Sequence, residues 1–179
     1  MAVLPIRVFP DPVLREPAAP VAEIDDSVRK LISDMAQTME AAEGAGLAAP
    51  QVGVQRRVFV YRLGDEEGEI HALINPEIVE REGTITADEG CLSIPGLYYP
   101  VERALKVRVR ALDADGEVVE YEGEELEARV IQHELDHLDG VLFIDRLQPE
   151  QRREALRIIR ERALEGGPTP TPRTPAMRI

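Results

Sequence analysis

Between Ile24 and Glu43 the apolar positions recur with the period of a helix, placing Val28, Leu31, Ile32, Met35 and Met39 on one face. Asp25 or Asp26 is positioned to cap this helix and Gly44 to stop it. Upstream, Pro5, Pro10, Pro12, Pro17 and Pro20 exclude a helix and predict an extended arm with turns. From Arg56 to Tyr121 the pattern shortens to that of strands. Val58, Val60 and Tyr61 mark one, and His71–Ile74 and Ile78–Arg81 mark two more on either side of an Asn75-Pro76 turn. Leu105, Val107 and Val109 alternate with charged residues, as a half-buried strand does, and Asp115-Gly116 predicts a hairpin turn into Val118–Tyr121. Two further helices are expected over Glu125–Leu138 and Pro149–Leu164, the second with proline in its first turn.

These elements predict an α+β fold with a mixed or antiparallel sheet, a buried helix and a C-terminal helix. One catalytic domain is expected over residues 1–165. The stretch from residue 166 to 179, GGPTPTPRTPAMRI from Gly166, is rich in proline and threonine and is expected to be a disordered tail. No apolar run approaches membrane-spanning length and no signal peptide is evident, so the expectation is a cytoplasmic protein. A net charge of −13 argues against general nucleic-acid binding, because a phosphate backbone would be repelled. Residues 146–165 run against that charge: six arginines (Arg146, Arg152, Arg153, Arg157, Arg160, Arg162) stand against four glutamates, so the C-terminal helix is either a solvated face laced with ion pairs or a place for phosphate contacts, such as the ribosome offers.

Chemistry concentrates in Gln132-His133-Glu134-Leu135-Asp136-His137. On a helix, residues four apart point the same way, so His133 and His137 can share one ion, with Glu134 beside it to handle protons. Leu126 and Val130 continue the histidine stripe, while Ile131, Leu135 and Leu138 cover the opposite side. A helix apolar on both sides is buried, and buried imidazoles need partners. Catalytic zinc-type sites usually have three protein ligands. Nothing downstream of His137 is histidine, and His71 has no motif around it. Cys91, the single cysteine, is the candidate third ligand, set in Glu89-Gly90-Cys91-Leu92-Ser93 where glycine lets the backbone come close to a ligand. Arg103 and Glu89 could pair beneath this loop. A third segment, Gly44-Ala45-Gly46-Leu47-Ala48-Ala49-Pro50-Gln51, offers backbone groups to an extended peptide and a Gln51 amide to an oxyanion. A general zinc endopeptidase and a closed structural metal module remain rival readings of these residues.

Together the three segments resemble the signature motifs of the peptide deformylase family, G-x-G-x-A-A-x-Q, E-G-C-x-S and Q-H-E-x-D-H, complete and in the family's order. The resemblance covers roughly residues 4–165 and includes Pro95-Gly96 and the Val101-x-Arg103 pair. It implies a central metal-binding helix enclosed by sheet and hydrolytic removal of the N-formyl group from the formylmethionine of nascent polypeptides, releasing formate. It places Cys91, His133 and His137 as metal ligands, Glu134 as general acid–base, Gln51 and the backbone N–H of Leu92 at the oxyanion, and Gly46 on the substrate's main chain. Val130 would wall the methionine pocket. One divalent ion per chain is implied, Fe²⁺ in the cell, with Zn²⁺, Ni²⁺ or Co²⁺ accepted. The sequence departs at Ala45, where many relatives carry valine or isoleucine, a difference that bears on the shape of the substrate groove.

Overall fold

The first helix forms as α1, Asp26–Ala41, in a computed structural model that describes residues 2–62, 68–166 and 179. Asp25 is its cap, accepting from the Val28 N–H at 3.0 Å. The stop falls one residue before Gly44: Glu43 takes the left-handed position with φ 56°. The Gly44 N–H closes onto the Met39 carbonyl and the Glu43 N–H onto Glu40, each at 3.0 Å. This bonding pair fixes residue 43 as the left-handed one whatever its side chain.

Among the described residues seven strands follow in two sheets. The larger has the order β1 (Gly46–Ala48), β2 (Val58–Arg62), β3 (Ile70–Glu82), β6 (Lys106–Leu112), β7 (Val118–Glu124), with every pair antiparallel. The smaller is a hairpin of β4 (Ile85–Cys91) and β5 (Ile94–Arg103). The turn expected at Asn75-Pro76 does not form. β3 runs through it with a register shift between Ile74 and Glu77, and Asn75 has φ 51°. The Asn75 amide holds both the N–H and the carbonyl of Val21 (2.8 and 2.9 Å), so the N-terminal arm stabilises a bulge where a turn was expected. The Asp115-Gly116 hairpin turn is present, with Gly116 at φ 86° and the Asp113 carboxylate accepting from the Asp115 and Glu117 N–H groups.

α2 (Glu125–Leu138) and α3 (Pro149–Leu164) have the expected bounds. α2 lies between the sheets. Ala128, Val130, Ile131 and Leu138 pack with Phe59, Tyr61, Leu73, Val107 and Val109 of the large sheet, and Arg129 and His133 meet the hairpin. Leu126, expected on the buried stripe, is 44% exposed, because the helix's first turn is exposed and burial begins at Ala128. The N-terminal arm is braced against the core: Leu14 is fully buried, and the N–H groups of Arg7 and Phe9 donate to the carbonyls of Gln51 and Ser93 (2.7 and 2.9 Å). Among the described residues no helix is long and apolar enough to cross a membrane. The expected tail lies outside the described residues apart from Gly166 and Ile179.

Candidate active site

Helical spacing and the end of β4 bring three side chains to one point. His133 and His137 sit one turn apart on α2, their Nε2 atoms 3.2 Å apart, and Cys91 Sγ lies 3.4 Å from His137 Nε2. All three residues are buried, and their ligand atoms lie within 4.8 Å of one another. Bond lengths of about 2.0 Å to nitrogen and 2.3 Å to sulfur put the corners of a tetrahedral site roughly 3.3–3.6 Å apart, close to these distances. Burial, and then the neighbouring His133, holds His137 below the usual imidazole range, so it is neutral with a lone pair available. Burial pushes the Cys91 thiol up, a shift that a divalent cation held beside it would reverse by favouring the thiolate. The donor set and its spacing therefore fit one divalent ion. No other such group occurs among the described residues.

Glu134 stands beside the triad, fully buried, with neither carboxylate oxygen hydrogen-bonded. Its carboxyl lies well above the ordinary carboxylate range, first because it is desolvated and then because of the charge on Glu89. It packs directly on Gly46: a Cβ there would stand 2.5 Å from Glu134 Oε1. Only glycine lets β1 lie this close to the carboxylate.

β1 is the edge strand of the large sheet. The Arg62 N–H donates to the Ala45 carbonyl (2.9 Å), and Gly46 pairs in register with Tyr61. In an antiparallel ladder the backbone groups alternate sides, so those of Gly46 and Ala48 point away from β2. The Ala48 N–H is taken by Gln51 Oε1 (2.9 Å). The same Gln51 amide donates to Ser93 Oγ (3.2 Å) and approaches Cys91 Sγ (3.7 Å). Leu92, next to the cysteine, donates its N–H to the Ile179 carbonyl at 3.2 Å, and Ile179 is itself fully buried in the cluster that contains Val130.

A sequence-family profile for polypeptide deformylase matches residues 3–153. The chain belongs to the peptide deformylase family. It is 55% identical over 161 residues to the peptide deformylase of Acidothermus cellulolyticus, across 90% of this chain and 88% of that protein. With that of Alkalilimnicola ehrlichii the identity is 53% over 167 residues, across 93% and 94%. The crystal structure of a peptide deformylase from Legionella pneumophila matches with a TM-score of 0.86 at 44% identity, covering 93% of this chain and all of that one. The Ehrlichia chaffeensis peptide deformylase solved in complex with actinonin gives 0.85 at 36% identity, covering 90% and 98%.

Around this site the structure links motif residues to arginines outside the three motifs. The Glu89–Arg103 pair expected beneath the cysteine loop forms and is buried, with contacts of 2.6 and 3.1 Å. Glu89 Oε1 also meets His133 Nδ1 at 2.5 Å, and Arg129 Nη1 donates to Oε2 at 2.8 Å. Burial acts against the Glu89 charge, but His133 and Arg103 outweigh it and hold the carboxyl far below its ordinary range. Arg103 continues to Asp136 (2.6 Å), which Arg146 grips with two contacts of 2.6 and 2.7 Å. The space beside Gly90 is filled by the Tyr98 ring, 2.4 Å from where a Cβ would be, so this glycine makes room for an aromatic ring where a ligand was expected. Arg129 carried a readable signal: it precedes His133 by four residues and so lies on the histidine face.

Proposed function

We propose that this peptide deformylase removes the N-formyl group from the N-terminal formylmethionine of nascent polypeptides, releasing formate, with one divalent ion held by Cys91, His133 and His137. The supporting observation is the unpartnered Glu134 carboxylate, enclosed between that triad and an open strand edge. A bound ion would supply Lewis acidity, polarising the formyl carbonyl and making a water molecule easier to deprotonate. Glu134 takes the proton from that water at its free carboxylate and returns it to the departing amine, a double duty suited to a carboxyl whose affinity for protons is raised. The Gln51 Nε2 and the Leu92 N–H stabilise the oxyanion. The outward N–H and C=O of Gly46 pair with the substrate's main chain as one more strand on β1. Val130, 2% exposed on α2, contributes to the apolar pocket for the methionine side chain.

Three protein ligands leave a coordination position free, as a hydrolytic site needs and a closed structural site does not. Thiolate and imidazole suit several ions. Fe²⁺ is proposed for the cell, with Zn²⁺, Ni²⁺ and Co²⁺ as alternatives. Formate release from formyl-Met-Ala by protein prepared anaerobically with Fe²⁺ tests the reading. Loss of both bound metal and turnover in Cys91→Ser is the expected companion result. Full metal content in that variant would remove Cys91 from the ligand set.

The substrate implies a cytoplasmic enzyme working near the ribosome. Of the arginines proposed for ribosome contact, Arg146 is committed to Asp136, Arg157 to Glu161 and Arg162 to the Pro95 carbonyl, while Arg152 lies 3.7 Å from Asp145. Arg153 and Arg160 of α3 remain as the contact we propose. Ribosome co-sedimentation that does not fall when both become glutamate would exclude it.

A further inference from the structure

The ligands of the triad come from two separate bodies. Cys91 ends β4 in the small hairpin, whereas His133 and His137 ride on α2, and among the described residues the hairpin forms a sheet separate from the five-stranded one. The distance from thiol to imidazoles is therefore set by side chains that bridge hairpin and helix. Gln132 bridges beyond the end of β5, with Oε1 accepting from the Ala104 N–H and Nε2 donating to the Ala104 carbonyl, each at 3.0 Å. Arg103 bridges from β5 to Asp136. Arg129 does more. It is 2% exposed, and its guanidinium donates to the Val101 carbonyl of β5 (2.9 Å), the Ile85 carbonyl of β4 (3.1 Å) and Glu89 Oε2 of β4 (2.8 Å). It thus reaches both strands of the hairpin from one helical turn before His133. The last of these bonds matters most, because Glu89 stands two residues before Cys91 and its other oxygen meets His133 Nδ1. With Arg103 on both oxygens, every hydrogen-bonding direction of that carboxylate is occupied, and it cannot turn away from the imidazole.

We propose that Arg129 is a positioning residue for the metal centre, fixing the hairpin that carries Cys91 against the helix that carries the histidines. The inference rests on the triad being the metal site. The planar fork does the positioning: two carbonyls and a carboxylate are reached at once by a rigid group, which a lysine ammonium on a flexible stem cannot reproduce. Charge alone does not explain the arrangement, since Arg103 already neutralises Glu89.

The test compares Arg129→Lys and Arg129→Met with the full wild-type chain, well below each protein's unfolding temperature. Metal affinity is read by competition with a chelator, and the thiolate-to-metal absorption band is read on Co²⁺-saturated protein. Outer-shell partners of metal ligands are typically worth about tenfold to a hundredfold in affinity, and that loss is expected in both variants. The cobalt band should also shift at saturation, and lysine should not restore it. Wild-type affinity and an unmoved band in Arg129→Lys would overturn the proposal even if stability falls, leaving Arg129 a structural charge partner. Cys91→Ser serves as the control: if it loses metal while the Arg129 variants do not, only this inference fails, and if it keeps metal, the reading of the site itself fails.

Discussion

Glu134 and Gly46 form a unit that neither explains alone. A buried carboxylate without a hydrogen bond is costly to the fold, so its removal should leave the protein intact and raise the unfolding midpoint slightly. We expect Glu134→Ala to keep its metal and to lose at least ~10²–10⁴ in kcat, the usual contribution of a positioned acid–base group. Metal loss in that variant would instead make Glu134 a ligand. Gly46→Ala places a methyl on Glu134 Oε1, so it should impair turnover and stability in the wild-type chain. In a Glu134→Ala background the same change should cost much less stability, and additive costs in this double-mutant cycle would disprove the contact. The four residues Cys91, His133, Glu134 and His137 were legible in the sequence because helical spacing and a lone thiol restrict the choice. The Glu89–Arg103 pair was also open to reading, but its extension to Arg129 was not, because no periodicity links a strand carboxylate to a helix guanidinium forty residues away.

Among the elements, all three helices could be read, since apolar period, caps and proline placement agreed. The β4–β5 hairpin was not assigned. β4 buries only its last three residues, and β5 contains Pro95 and Pro100, which argue against a strand unless it lies in a sheet with free edges, as here. Another contact invisible in the sequence joins two 3-10 turns, Pro12–Arg15 and Phe143–Arg146. Asp145 accepts from the Arg15 guanidinium and from the Leu142 N–H (2.9 Å). Partial burial opposes its charge, but Arg15 and the Leu142 N–H prevail and hold the carboxyl below its ordinary value. A carboxyl lowered in the fold stabilises it above the unfolded-state pKa, and that stability fades as pH falls through the folded value. Asp145→Asn should cost about 1 kcal/mol or less near neutral pH, given the partly exposed guanidinium. The difference from wild type should close in acid. A gap in urea midpoint that persists unchanged at low pH would rule out the ion pair as its source.

At the scale of the whole molecule, the N-terminal arm, the hairpin and α3 converge on the loop that carries Leu92. Phe9 bonds the Ser93 carbonyl, and Arg162 near the end of α3 donates to the Pro95 carbonyl at 2.8 Å. Helix α3 therefore ends close to the site. Ile179 lies at the site as well: its carbonyl takes the Leu92 N–H proposed for the oxyanion, and its side chain is fully buried in the cluster that holds Val130. Composition alone suggested a disordered tail, but the burial of Ile179 means that a chain ending at Glu165 should lose a little stability, about 0.4–1.4 kcal/mol for a site half to nine-tenths occupied. Binding is a different matter. A tethered segment acts at an effective concentration near the millimolar range, so even a weak contact can occupy the site for much of the time. A substrate that binds only the vacant fraction has its apparent affinity reduced by that fraction. Truncation should therefore leave kcat unchanged and lower KM for formyl-Met-Ala by about twofold to tenfold, for a site half to nine-tenths occupied. Ile179→Asp in the full-length chain should do the same, because a charge is poorly accommodated in that apolar cluster. If both proteins keep the wild-type KM, Ile179 does not compete with substrate. If truncation lowers kcat, the residues after Glu165 contribute to catalysis and do not merely obstruct it.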